Sequence, residues 1–332
     1  MPRHSPKMSQ LEAKLFQPIQ VGNLQLSHRV VLPPLTRFRP GDDHVPNDMM
    51  VTYYRQRASV PGTLLIAEST FIAPKAGGMD NFPGIWSDEQ VEAWKKVVDA
   101  VHAQGSYIFL QLLALGRAAV PVVLTRPDSP SNPGGPYPLV GPSAIPIPTA
   151  DQSIIPRPLT HEEILECIDL YGQAVHRAGF DGVEIHGGNG CLVDQFIQDV
   201  SNKRTDQWGG SIENRIRFPL EVIKKHICKS SKLAWLRIKI GSDSSDNGTA
   251  YIGVGGYSPE AAIEAAEKNG GLVAFGRYLI SNPDLPARIK KSISLTPYDR
   301  STFYAPKSTY GYADYAFADK ESEDHYEKVD KL

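Results

Sequence analysis

The chain has 332 residues, with 35 basic against 37 acidic side chains and a formal net charge of −2; that balance argues against a nucleic-acid binder, which carries a basic excess. Hydrophobic residues make up 41% and charged residues 22%, ordinary globular usage that excludes global disorder. No stretch approaches 18 uninterrupted apolar residues, the N-terminus has no apolar secretory core, and Cys167, Cys191 and Cys228 lack paired or metal-ligand spacing, so the reading is a cytoplasmic protein without membrane span, disulfide or bound metal.

Residues 19–26 alternate apolar and polar side chains around Gly22 and Asn23, the pattern of a β-hairpin. Short, nearly continuous apolar runs follow at 30–32, 63–67, 107–112, 182–185, 233–240, 250–254 and 272–275, as strands buried on both faces require. Helices with clear start signals lie between them. Ser87 and Gln90 frame a capping box ahead of Val91, Trp94, Val98 and Val101. Thr160 and Glu163 repeat it ahead of Ile164, Ile168, Tyr171 and Val175, and Ser258 with Pro259 supplies a cap and a first-turn proline. Strands alternating with helices predict parallel βαβ units. Seven or eight strands predict an α/β fold, the (β/α)8 TIM barrel, as a single domain over 1–332 behind an N-terminal hairpin cap. A doubly wound open sheet is the alternative, weakened because no G-x-G-x-x-G follows the first strand.

Two stretches break the pattern. Residues 118–158 are proline-rich and read as an irregular excursion, a kind of segment that often serves as a lid or stays mobile. Only about eight residues (GSDSSDNG) separate the run ending at Ile240 from the one that follows, whereas a parallel crossover needs a dozen or more. Either one run is not a barrel strand, or the barrel is interrupted there. The charge-rich end, 320–332, reads as a solvated tail.

In such a barrel, reacting groups belong at the C-terminal ends of strands. Those ends carry Pro34, Leu35, Thr36 and Arg37; Glu68, Ser69 and Thr70; Gln111; and the glycine-rich turn from His186 to Cys191. His186 and Asn189 are two neutral donors that can polarise a carbonyl oxygen, or, alternatively, satisfy the turn's own backbone. Gly255, Gly256, Gly276 and Arg277 combine exposed backbone N–H groups with a guanidinium fork, which suits phosphate. The plainer alternative is a turn beside an arginine paired with a local carboxylate. Glu68 and Glu184 raise the alternative of a glycosidase pair; alternation along the strand gives Glu184 the same facing as His186.

Four motifs, VLPPLTR (31–37), GVEIHGGNG (182–190), RTDQWGGSIENR (204–215) and AFGRYLISNPDL (274–285), resemble the old yellow enzyme family of flavin-dependent ene-reductases, with fungal members the nearest, including those acting on ergot-alkaloid intermediates. The resemblance spans nearly the whole chain. It implies FMN bound without a covalent link, reduced by NAD(P)H, and hydride transfer to the β-carbon of an enone or enal, with a place in fungal secondary metabolism. It implies that Pro34, Leu35 and Thr36 line the flavin, that Gln111 binds its pyrimidine edge, that Ser69 and His186 also belong to the cofactor-binding set, and that His186 and Asn189 hold the substrate carbonyl. Gly255, Gly256, Gly276 and Arg277 would grip the phosphate, and Tyr304 would stand at the substrate entrance. The 204–215 loop takes a structural role. A small-molecule substrate and a monomer or homodimer are expected, with no nucleic-acid or membrane partner.

The chain departs from the family twice. Where a tyrosine commonly follows Asn-Gly and protonates the substrate α-carbon, this chain has Cys191, which predicts weakened proton delivery and a shift toward slow reduction or isomerisation. Residues 232–236 resemble the sixth barrel strand yet follow directly on the helix after the fourth. About one βα unit around strand five is therefore missing, with the arginine it carries. Arg237 is the candidate substitute. Such a gap predicts unpaired edges and weak or lost flavin binding, and the alternative reading is a degenerate, non-catalytic member.

Overall fold

The computed structural model describes residues 12–224 except 176 and 178, the backbone of 236–239, and residues 251–318. Cys228, the short crossover at 241–248, Ala250, the stretch 232–235, the leader 1–11 and the charged tail 320–332 lie outside the described residues, as does the side chain of Arg237.

Strands β1 (Ile19–Val21) and β2 (Leu24–Leu26) form the expected antiparallel hairpin, turned at Gly22 with φ +56°, a backbone region where glycine carries no Cβ penalty. Seven parallel strands follow: β3 (Val30–Leu32), β4 (Leu64–Phe71), β5 (Tyr107–Leu113), β8 (Gly182–His186), β9 (Leu236–Lys239), β10 (Ile252–Val254) and β11 (Leu272–Ala274). Between β5 and β8 lie two short paired segments, β6 (Val140–Gly141) and β7 (Arg157–Pro158). The parallel strands are ordered β10-β11-β3-β4-β5-β8-β9. This is the barrel short of a unit that the sequence predicts: β9 pairs directly with β8, with Glu184 opposite Arg237.

Alternation along the strands sorts the core into two layers. Val31, Leu64, Ile66, Phe109, Ile252, Leu272 and Ala274 cluster with Val21 and Leu26 of the hairpin, so β1 and β2 plug the sheet's concave interior. Their neighbours Leu32, Leu65, Ile108, Leu110, Val183 and Ile185 pack outward with helical residues. Those come chiefly from α2 (Asp88–His102), which contributes Trp94, Val97, Val98 and Val101, and α4 (His161–Val175), which contributes Ile164, Ile168 and Tyr171. Both capping boxes form: Ser87 Oγ accepts from Gln90 N, and Thr160 Oγ1 from Glu163 N at 3.2 Å. Helix α8 (Pro259–Asn269) has its Ser258 cap and closes on Gly270 at φ +67°.

Strand β4 runs four residues beyond the predicted 63–67, so Glu68, Ser69 and Thr70 belong to the strand rather than to the loop after it. The register shifts between Ala67 and Thr70, where two residues of β4, Glu68 and Ser69, face one of β5, Gln111. Such a bulge exchanges the faces of the strand. Ser69 now turns inward to Gln111, while Glu68 meets the Tyr54 hydroxyl of α1 (Asp48–Arg57) at 3.3 Å. The proline-rich excursion is irregular as expected, and its first half is packed against the strand ends. Ala119, Leu124, Tyr137 and Leu139 join Phe71, Phe82, Leu113, Leu115 and Cys191 in one cluster.

Residues 300–313 fold back across the C-terminal ends of the strands. They are held by buried arginines whose donors meet backbone carbonyls: Arg37 reaches Phe303 O at 2.9 Å and Gly311 O at 2.7 Å, Arg39 reaches Thr302 O at 2.8 Å, and Arg57 reaches Tyr312 O at 3.0 Å. Glu68, fully buried beside this group, has its carboxyl pushed up to about 7 by burial. Its proton is held more tightly in the folded state, so stability falls as pH rises from about 4.5 through 7. Glu68→Gln is expected to raise Tm by a few degrees at pH 8 (about 2 kcal/mol) and to leave it unchanged at pH 4, read by thermal melts at both pH values.

Candidate active site

Above the hairpin plug, the inward alternates of the strands change from apolar to polar. Phe109 is followed by Gln111, Ile66 by the bulged Ser69, and Gly182 by Glu184 and His186. They open into a cavity of about 640 Å³ lined by Pro34, Leu35, Thr36, Arg37, Ser69, Gln111, His186, Asn189, Cys191, Arg277 and Tyr304 together with apolar side chains. A second cleft of about 240 Å³ is lined by Gly255, Gly256, Gly276 and Arg277, and shares Pro34, Leu35 and Arg277 with the first. Every described residue that the family resemblance assigns to the site therefore lies on one of two adjoining cavities, whereas Glu68, Thr70 and Glu184 lie on neither.

The floor is a hydrogen-bonded row across three neighbouring strands. The Ser69 hydroxyl donates to Gln111 Oε1, and Gln111 Nε2 donates to Glu184 Oε1 at 2.5 Å. A carboxylate accepts only, so Glu184 directs the Gln111 amide nitrogen toward itself and its carbonyl toward Ser69. Glu184 and Glu68 are both fully buried and neither lines the cavity, which removes the flanking carboxylate pair that a glycosidase needs.

His186 ends β8 and is nearly buried, while Asn189, three residues on, is exposed at φ +57°, a left-handed conformation that asparagine tolerates. The turn between them is held from below. Gly190 N donates to Asp194 Oδ2 at 2.8 Å, and Gln195 Nε2 spans Gly190 O at 2.7 Å and Leu115 O at 2.8 Å, both partners lying on α5 (Leu192–Ile197). Cys191 caps that helix without a side-chain hydrogen bond and packs among Phe71, Phe82 and Leu113. Burial, reinforced by Asp194, pushes its thiol up to about 12.

In the second cleft, Gly256 has φ +73°, and a Cβ there would lie 2.8 Å from Arg277 Nη2. At Gly255 a Cβ would meet nothing within 4 Å, so this position does not depend on glycine for space. Among the described residues Arg277 pairs with no carboxylate; its Nη1 donates to Tyr298 Oη at 3.0 Å. Tyr304 is 66% exposed, with its ring 5.8 Å from that of Phe38. The sequence reading missed Met79, Phe82, Ile280, Arg300 and Phe303 on the main cavity and Tyr257 and Tyr278 on the cleft. Arg300 and Phe303 had a usable signal, their closeness to Tyr304; Met79 and Phe82 had none, since only the packed excursion brings them to the wall. No helix among the described residues is long and apolar enough to cross a membrane.

The profile of the NADH:flavin oxidoreductase / NADH oxidase family matches residues 14–245 and 243–296. The NADP-dependent oxidoreductase lnbE of Aspergillus flavus is 42% identical, covering 93% of this chain and 97% of its own. The chanoclavine-I aldehyde reductase fgaOx3 of Penicillium roqueforti is 41% identical, with 92% and 96% covered. A probable inactive reductase, easA of Epichloe festucae var. lolii, is 40% identical over 93% and 96%. Among solved structures, an old yellow enzyme from Pichia sp. superposes with a TM-score of 0.80 at 36% identity, with 93% of this chain and 94% of the other covered. The alignment with lnbE runs over 377 residues, more than the 332 of this chain, so the relative carries several tens of residues with no counterpart here.

The buried, high-pKa thiol of Cys191 makes a direct test of this site's packing. Cys191 is not expected to react with iodoacetamide at pH 8 in the native protein but is expected to react in urea, read by peptide mass spectrometry.

Proposed function

Because the chain belongs to the NADH:flavin oxidoreductase / NADH oxidase family, the old yellow enzymes, we propose that its two adjoining cavities form the active site of an FMN-dependent, NAD(P)H-driven reductase of activated C=C bonds. The observation that carries this reading is their shared wall. Pro34, Leu35 and Arg277 border both the polar-floored main cavity and the glycine cleft, so one elongated ligand with a flat head and an anionic end spans the two.

The residues present fit FMN. The floor row of Ser69 and Gln111 offers a donor and an acceptor to a pyrimidine edge, the half-buried Pro34, Leu35 and Thr36 offer a mostly apolar wall to a ring face, and the cleft at Gly256 is kept open beside a guanidinium. When bound, this cofactor supplies hydride taken from NAD(P)H. His186 and Asn189 donate to the carbonyl oxygen of an α,β-unsaturated aldehyde or ketone, drawing electron density from its β-carbon without placing a net charge in the pocket. Phe303, Tyr304, Phe82 and Met79 enclose the rest of a small, largely apolar substrate. The relatives named as aldehyde and NADP-dependent oxidoreductases support a substrate from fungal secondary metabolism. A cytoplasmic monomer or homodimer is the assembly we assign.

Cys191 gives the reaction its own character. A thiol held near 12 is a weaker acid than a phenol at about 10, and it is shorter than the tyrosine whose place it takes. The α-carbon proton therefore comes slowly or through water, which favours double-bond isomerisation over net saturation.

The second reading, a remnant that no longer holds flavin, draws on the missing unit beside β8 and on the relative named as probably inactive. The two readings part on colour. The purified protein is expected to show flavin absorbance and to oxidise NADPH with 2-cyclohexenone; a preparation that stays colourless after soaking in excess FMN overturns the first reading. In the flavin-loaded enzyme, His186→Ala should lower kcat/KM about 10²-fold. Cys191→Tyr should raise the ratio of saturated to isomerised product, and an unchanged ratio would count against the role given to Cys191.

A further inference from the structure

We infer that Tyr298 is a positioning residue that sets Arg277 for phosphate, an inference that rests on the flavin reading above. Arg277 is exposed, and a free arginine at a surface samples many rotamers and loses them on binding an anion. Here one end of the guanidinium is already fixed: Nη1 donates to Tyr298 Oη at 3.0 Å. The other end, Nη2, lies where a Cβ on Gly256 would be 2.8 Å away, directly over the glycine cleft. The phenol thus holds the fork across the boundary between the two cavities and leaves Nη2 facing the cleft.

Tyr298 is itself held by its ring. It meets Tyr278 edge-on at 5.5 Å and Phe303 at 5.9 Å, and it lies in contact with two cations, Arg277 at 5.3 Å and Arg300 at 6.0 Å. An aromatic face attracts both guanidiniums electrostatically. The ring therefore tolerates two like charges near one another, which would otherwise repel, and it does so at the end of the site that receives the anion. Tyr298 touches the arginine and lines neither cavity, so its effect must pass through Arg277.

That indirectness gives a test that a merely structural tyrosine would fail. FMN and riboflavin differ only by the phosphate, and their dissociation constants are read by flavin fluorescence quenching on the full-length apoprotein. Tyr298→Phe keeps the ring packing and removes the hydroxyl. It is expected to weaken FMN binding five- to tenfold, to leave riboflavin binding unchanged, and to have no further effect on FMN in an Arg277→Ala background. Equal loss for both flavins, no loss for FMN, or the same loss with and without Arg277 overturns the inference. If the wild-type protein binds neither flavin, the flavin reading falls and this inference with it, whereas wild-type binding with an unaffected Tyr298→Phe variant removes the inference alone.

Discussion

The site depends on how three buried arginines are satisfied. Arg37, Arg39 and Arg57 are at most 1% exposed, and the fully buried Glu68 interacts electrostatically with Arg37 and Arg39. A guanidinium cannot shed its charge, and leaving its donors unpaired in the interior is costly. Their N–H groups therefore take carbonyl oxygens from residues 302–312. That demand binds the segment carrying Phe303 and Tyr304 to the end of β3 and to α1. Without it the strands would end in an open bowl. The stacked pair Tyr53 and Tyr312, 4.2 Å between ring centres, with Arg37 and Arg39 over the Tyr312 face, closes the same joint.

With that wall in place, the cavity acquires opposed ends. At one end stand His186 and Asn189, whose side-chain N–H groups suit a carbonyl oxygen that gains charge only as reaction proceeds. At the Arg277 end the donors are cationic, suited to an anion already charged on arrival. Between them the bulge in β4 is decisive. Ordinary alternation would have turned Glu68 inward after Leu64 and Ile66, setting a second carboxylate on the other side of Gln111 from Glu184. One extra residue presents the Ser69 hydroxyl instead and sends Glu68 to Tyr54.

The missing unit marks the other side of the molecule. Strand β9 hydrogen-bonds directly to β8, the place next to the fourth strand of the barrel, although the residues leading into it resemble a sixth strand. The alignment that is longer than the chain places the loss in this protein rather than in its relatives. The residues that line the two cavities belong to the first four strands, the last two and the returning C-terminal segment.

Much was legible from sequence because it is local. Capping boxes at Ser87 and Thr160, the glycine turn at Gly22, and runs of apolar residues too continuous for a solvent-exposed sheet all act within a few residues of themselves. The crossover too short for a helix was simple chain geometry. The motifs around Thr36, His186 and Arg277 lie at strand ends, and a parallel barrel brings all strand ends to one face. What the sequence could not hold is any fact that depends on two distant segments meeting. The face exchange in β4 is visible only against its register with β5. The burial that raises the Cys191 thiol comes from Phe71, Phe82 and the excursion. The partner of Arg277 proved to be a phenol twenty-one residues on and not a local carboxylate. Local propensity and pattern were written in neighbouring residues, whereas acidity, orientation and the closing of the cavity came from contacts across the fold, and tertiary packing alone decides those.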